Sequence, residues 1–329
     1  MERNILVDKL KGYACFLVLF GHVIMGIRLA GIQIPGFFQS VEKFIWSFHV
    51  ALFMFLSGVV YRETGGWKGK KTRLRFVAHK LCGLGIPYVA FSALYIAINA
   101  LAGQTNSQFS LRDILFIWKT PVAQYWFLYA LFFLFAIWAV LSKWLPDWAI
   151  TLAVVSVAYI APLLGIGFGS FDIVFYAALA FGVGTCLDFT MLQKPPAWVK
   201  WLVILLHVVT GGILAATNRI EAPLVEEVMM LFGIYASISL ISLLQSCKPV
   251  AWFLNFMNRY SFQTYLLHTI FTAGVRIVML RLGITWWWLH VLVGTACGIA
   301  FSVLVSEIAK RIKCLNFFFF PTKFLTGKK

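Results

Sequence analysis

Charge is scarce in this chain, and acidic charge scarcer still. Only 12% of the 329 residues are charged, and 12 Asp and Glu stand against 28 Lys and Arg. A soluble domain of this length carries about a quarter charged residues. A soluble fold is therefore excluded, and a 61% hydrophobic composition with mean hydropathy +0.86 points to lipid as the solvent. Cysteine is sparse as well: Cys15, Cys82, Cys186, Cys247, Cys297 and Cys314 are scattered with no CxxC pair, which gives neither a zinc site nor a disulfide framework. No metal site is expected. A charged head runs straight into a full-length apolar span without a small-residue cleavage site, so a removable signal peptide is not expected. Internal repeats and a separate soluble domain are missing too, leaving one domain over residues 1–329.

What remains is a series of long apolar runs. They lie at about 12–29, 41–61, 76–101, 121–141, 148–165, 171–187, 200–216, 225–245, 260–281 and 286–308, so the sequence predicts an all-α polytopic membrane protein of ten transmembrane helices. An even number places both termini on one side. With that side cytoplasmic, the inner segments hold Arg3, Lys9 and Lys11, then Arg62, Lys68, Lys70, Lys71, Arg73, Arg75 and Lys80, and finally Lys310, Arg311, Lys313, Lys323, Lys328 and Lys329. The outer segments keep Arg28, Lys43, Arg112, Lys119, Arg219, Arg276 and Arg281, with a polar loop at 103–108. The positive-inside bias therefore predicts N-in, C-in topology. It also accounts for the net charge of +16 without nucleic acid as a partner.

Within these apolar runs, ionisable rings stand out. Eleven helical steps of ~1.5 Å put His22 about 16 Å beyond Lys11, near the bilayer midplane. His49 precedes Arg62 by thirteen residues, and His268 follows Arg259 by nine, depths of ~20 Å and ~14 Å from the inner face. Titratable groups at such depth belong in a protein interior or a water-filled cavity, which predicts one shared polar site for His22, His49 and His268. His79 is read as interfacial, His207 as either packing or cavity, and His290, after Trp286-Trp287-Trp288, as part of the outer aromatic belt. Glu226 and Glu227 open a span from outside, where carboxylates suit a helix N-terminus. Lys11 is either one more positive-inside residue or a cation holding an anionic cytoplasmic donor below His22. The loop from Arg62 to Arg75 anchors topology on anionic lipid or binds phosphate. Trp126 and Tyr129 in the fourth span form either an interfacial belt or a sugar-stacking surface.

Four patches carry a family resemblance: Asp8-x-x-Lys11-Gly12 with His22 ten residues on; Ser47-Phe48-His49-Val50-Ala51-Leu52-Phe53-Met54-Phe55-Leu56-Ser57-Gly58; Trp126-Phe127-Leu128; and Ser261 with Tyr265-Leu266-Leu267-His268. On these the chain resembles the membrane acyltransferase family 3, more narrowly its fucose 4-O-acetylase-like branch. The broader family pattern has arginine where this chain has Lys11. It also has basic residues just before Ile86-Pro87-Tyr88, where this chain has Cys82 and Gly83, with Arg73, Arg75 and Lys80 farther back.

The resemblance implies transfer of acetyl from cytoplasmic acetyl-CoA to a hydroxyl of a cell-surface glycan or lipid-linked sugar, in the bacterial cytoplasmic membrane. His22 would be general base or covalent acetyl carrier. His49 and His268 would orient the acceptor or relay the proton, and Lys11, Arg73 and Arg75 would hold CoA phosphates. The competing reading is a proton-coupled small-solute transporter. It would require broken helices in matching halves, with Gly165–Gly169 and Gly211-Gly212 as candidate breaks.

Overall fold

The computed structural model describes residues 4–70, 72–102 and 109–325. The loop at 103–108 and the basic residues Arg3, Lys71, Lys328 and Lys329 lie outside the described residues. Among those described there is no strand. The first helices in chain order are α1 Ile5–Leu29, α2 Gly36–Trp46, α3 His49–Glu63, α4 Arg73–Lys80 and α5 Ile86–Ala102. They are followed by α6 Trp126–Leu141, α7 Asp147–Leu163, α8 Asp172–Cys186, α9 Ala197–Ala216 and α10 Val225–Leu244. The chain finishes with α11 Lys248–Arg259, α12 Ser261–Arg281, α13 Trp287–Arg311, α14 Lys313–Phe319 and α15 Pro321–Leu325.

Each expected apolar run is helical, with ends shifted by a few residues. Among the described residues, eight helices or joined pairs are long and apolar enough to cross a membrane. The other two expected spans fall short for different reasons. α7 has only 17 residues, and α12, although 21 residues long, carries Gln263, Thr264, His268, Thr272 and Arg276 on buried positions. α4 and α5 join through a π-helical stretch at Leu81–Gly85. The amphipathic α11 was not foreseen: a proline in its first turn starts it, Leu254 and Met257 are buried, and Trp252 is exposed.

The chain forms two compact units, Met1–Phe53 with Asp188–Glu307, and Met54–Leu187 with Ile308–Lys329. In the first, α1 packs along α11 and α12. Gly12 makes the first of these contacts possible, because a Cβ there would overlap the Leu254 carbonyl oxygen. Small residues at such crossings are how helices approach closely in lipid. Lys9, 8% exposed, donates from Nζ to the Gln245 carbonyl at 2.9 Å, a cation set at the C-terminal end of α10. Arg28 and Glu42 clamp α1 to α2 by a bidentate pair at 2.9 and 2.8 Å. Glu226 and Glu227 occupy the first turn of α10, as expected.

In the second unit, α3 and α8 meet through a reciprocal glycine pair. A Cβ on Gly58 would strike the Phe181 carbonyl, and one on Gly184 the Phe55 carbonyl. Trp138, fully buried, donates its indole N–H to the Thr185 hydroxyl at 3.2 Å.

Two sequence expectations are corrected here. Arg276, assigned to the outer segments, sits inside α12 at 9% exposure, with its guanidinium in the space that Gly26 leaves by having no side chain. His290, assigned to the aromatic belt, is 2% exposed, and its Nε2 donates to the Ile284 carbonyl at 2.9 Å. Hydropathy sees the neighbouring tryptophans and the nearby helix end. It does not see which way one ring points.

Candidate active site

The expected second span is not one continuous helix. It breaks at Ser47 and Phe48, between α2 and α3. Two side chains bond carbonyls at the break: Ser47 Oγ donates to the Phe44 oxygen at 2.8 Å, and the His49 ring donates to the Ile45 oxygen at 2.8 Å. α9, in contrast, runs unbroken through Gly211-Gly212, one of the breaks that the transport reading required.

His22 on α1 repeats this motif with the Val18 carbonyl at 2.8 Å. His268 on α12 shares its Nδ1 between the Thr264 and Tyr265 carbonyls at 2.8 and 3.0 Å. A carbonyl oxygen only accepts, so in all three rings Nδ1 carries the proton. A neutral imidazole then presents an Nε2 lone pair. The contact is local in the chain, because a helical side chain leans back over the preceding turn, where a ring can reach the carbonyl four residues earlier.

The three rings lie close to one another. His22 and His268 lie with centroids 4.9 Å apart, and the Trp46 indole stands 5.1 Å from His22 and 5.1 Å from His49. His49 and His268 are wholly sealed, whereas His22 keeps accessible surface. Nε2 of His49, Nε2 of His268, Nε1 of Trp46 and Oγ1 of Thr264 are enclosed with no hydrogen-bond partner among the described residues. Buried polar atoms are nearly always paired, so the unpaired atoms of the rings beside the half-open His22 are groups for which a bound ligand could supply partners. Among the described residues no three His, Cys, Asp or Glu side chains are grouped to hold a metal ion. Acid–base and nucleophilic chemistry are what these rings can supply. Trp46 is the residue the sequence reading missed; its signal was its position three residues before His49, beside the only break in the span.

Lys11 shares α1 with His22. Eleven residues are close to three full turns, so the two lie on one face of the helix ~16 Å apart along its axis. His207 lies elsewhere in this unit, ringed by Phe44, Phe48 and Phe232 at 4.8, 5.2 and 5.2 Å, with neither nitrogen hydrogen-bonded. The aromatic rings packed around it receive an N–H only weakly. It is a packing histidine: His207→Phe is expected to leave turnover within about twofold and the thermal midpoint unchanged or raised, since an orphaned polar group is lost.

The remaining predicted residues belong to the second unit. Arg73 is stacked 3.8 Å over the Trp67 ring with Nε buried and unpaired, Arg75 is exposed, and Lys80 stands 3.6 Å over Phe135. Trp126 is half-buried. Tyr129 is 8% exposed within a cluster of Tyr88, Phe133 and Phe171 at 5.9, 4.8 and 6.0 Å. That enclosure leaves Tyr129 little face for stacking a sugar.

In comparison with known families, a family model described as an acyltransferase domain matches residues 4–307. No match was found among curated proteins or solved structures.

Proposed function

Because the chain belongs to this acyltransferase family, we propose that it is a membrane O-acetyltransferase using cytoplasmic acetyl-CoA, with a hydroxyl of a cell-surface glycan or lipid-linked sugar as acceptor. Membership carries the statement that it transfers acyl groups and is integral to the membrane; donor, acceptor and the fucose 4-O-acetylase-like branch are our reading. The observation that supports it is the His22 ring. Its Nδ1–H is fixed on the Val18 carbonyl, its opposite nitrogen is presented as a base, and it alone of the three keeps accessible surface.

In the proposed reaction the acceptor O–H donates to Nε2 of His22, and the oxygen attacks the thioester carbonyl. A covalent acetyl-His22 route uses the same nitrogen as nucleophile. The orphaned Nε2 atoms of His49 and His268 are acceptors suited to hydroxyls of the incoming sugar. Lys11 attracts the donor's phosphates electrostatically. Phosphate binding by Arg73 and Arg75, and sugar stacking on Trp126, are kept as separate proposals for the second unit. The family match gives no support to the transport reading.

We also propose the ten-span arrangement with both termini cytoplasmic, in a bacterial cytoplasmic membrane. It rests on the basic segments and on α12, whose polar residues are buried and therefore do not bar it from a bundle. Reporter fusions that place the 62–75 loop opposite the C-terminal tail would overturn it.

The test of function is transfer of label from radiolabelled acetyl-CoA to candidate glycans by purified protein. Lys11→Ala is expected to raise the donor KM roughly tenfold, a coupling of about 1.4 kcal/mol, while saturating donor restores turnover. Lys11→Arg keeps most activity because the charge is retained. A Lys11→Ala defect that saturating acetyl-CoA does not relieve would remove the donor-binding role.

A further inference from the structure

Trp46 closes α2 at the break, and its ring is flanked by His22 and His49 at 5.1 Å on each side. Its Nε1–H is enclosed and unpaired among the described residues. An indole N–H can only donate. Nε2 of His49, whose ring adjoins the indole, and Nε2 of His268, whose ring adjoins His22, are unpaired lone-pair acceptors held by their Nδ1 bonds. So an unpaired donor stands between the ring of His22 and a ring that carries an unpaired acceptor. A hydroxyl entering there supplies a proton to an imidazole. The indole N–H can then be matched by an oxygen, and a carbonyl oxygen that gains negative charge during reaction is the stronger acceptor.

We propose that Trp46 Nε1–H is the donor that stabilises the oxyanion of the tetrahedral intermediate. This rests on the acyl-transfer reading and adds a catalytic residue to it. The acceptor oxygen forms its bond to the thioester carbonyl carbon as its proton passes to Nε2 of His22. The carbonyl π pair moves onto oxygen, and the indole N–H donates a hydrogen bond to the oxyanion so formed. Re-forming the carbonyl breaks the C–S bond, and the leaving thiolate takes the proton back from His22, so ester and thiol are the products. A donor aimed at the oxyanion and idle in the ground state lowers the barrier without tightening substrate binding.

The test compares wild type with two variants in the acetyl-CoA assay: Trp46→Phe, and a replacement of Trp46 by 3-benzothienylalanine, which keeps the bicyclic shape and removes the N–H. The expected result is a fall in kcat of about 10²–10³-fold in both, with donor and acceptor KM within about threefold and the thermal midpoint preserved in the benzothienyl protein. If Trp46→Phe does not fold, the benzothienyl protein decides. A folded variant with kcat within threefold of wild type overturns the assignment, and so does a raised KM at unchanged kcat, because the N–H would then bind the ground state. Folded wild type that transfers no label overturns the acyl-transfer reading and this inference with it; active wild type beside an unimpaired benzothienyl protein overturns the donor role alone.

Discussion

His22→Gln is expected to lower acyl transfer by about 10²–10⁴-fold at saturating donor and acceptor, the range for losing a general base, and by more if the ring itself carries the acyl group. Glutamine nearly fills the volume between Trp46 and His268, whose rings lie 5.1 and 4.9 Å away, so the loss reads as chemistry and not as a collapsed cavity. His22→Ala should match it in activity and fall below it in thermal midpoint. Because the base acts in the transition state, raising acetyl-CoA should not restore either variant, in contrast to Lys11→Ala. Mass spectrometry of wild type quenched with donor alone separates the two routes, since a covalent carrier adds one acetyl group on the peptide containing His22. Full activity in His22→Gln would remove the base or carrier role altogether.

Gly12→Val is expected to damage folding severely. A Cβ at Gly12 would overlap the Leu254 carbonyl oxygen and stand 3.0 Å from the Asn258 amide nitrogen, and both atoms are backbone. Neither can rotate away, so α1 must separate from α11 along the contact that seats the N-terminal half of the helix. Alanine would ordinarily gain about 1 kcal/mol over glycine in a helix. Here the overlap outweighs that gain: Gly12→Ala should cost about 1–3 kcal/mol, read as a lower thermal midpoint, and Gly12→Val should prevent recovery of folded protein. Gly274→Ala on α12, where an added Cβ meets nothing within 4 Å, is the control and should be neutral or mildly stabilising. A Gly12→Ala protein as stable as the Gly274→Ala protein would show that the crossing is looser than described.

The Lys11-Gly12 pair thus joins two requirements that a motif compresses into adjacent letters. The cation looks to the donor, and the glycine looks to a neighbouring backbone. Likewise Ser57-Gly58 closes the second patch with a residue whose missing side chain lets α3 meet α8.

By itself the sequence determined that the protein lives in lipid, where its helices run, and that three histidines lie within apolar spans. Each of these follows from transfer of a local segment, which composition and length measure directly: the run read at 171–187 is Asp172–Cys186, and that at 225–245 is Val225–Leu244. The tautomer-setting contact is local as well, since each of these three rings reaches a carbonyl four residues back, His49 across the break between α2 and α3. Only the tertiary structure decided that His22, His268, Trp46 and His49 adjoin one another, that the second span breaks at Ser47, that Arg276 and His290 turn inward, and that α11 backs α1. Hydropathy is nearly blind to rotation of a helix about its axis. In lipid, helices choose their neighbours by close packing and buried polar contacts, not by hydrophobicity, so the faces that meet are set by residues far apart in the chain.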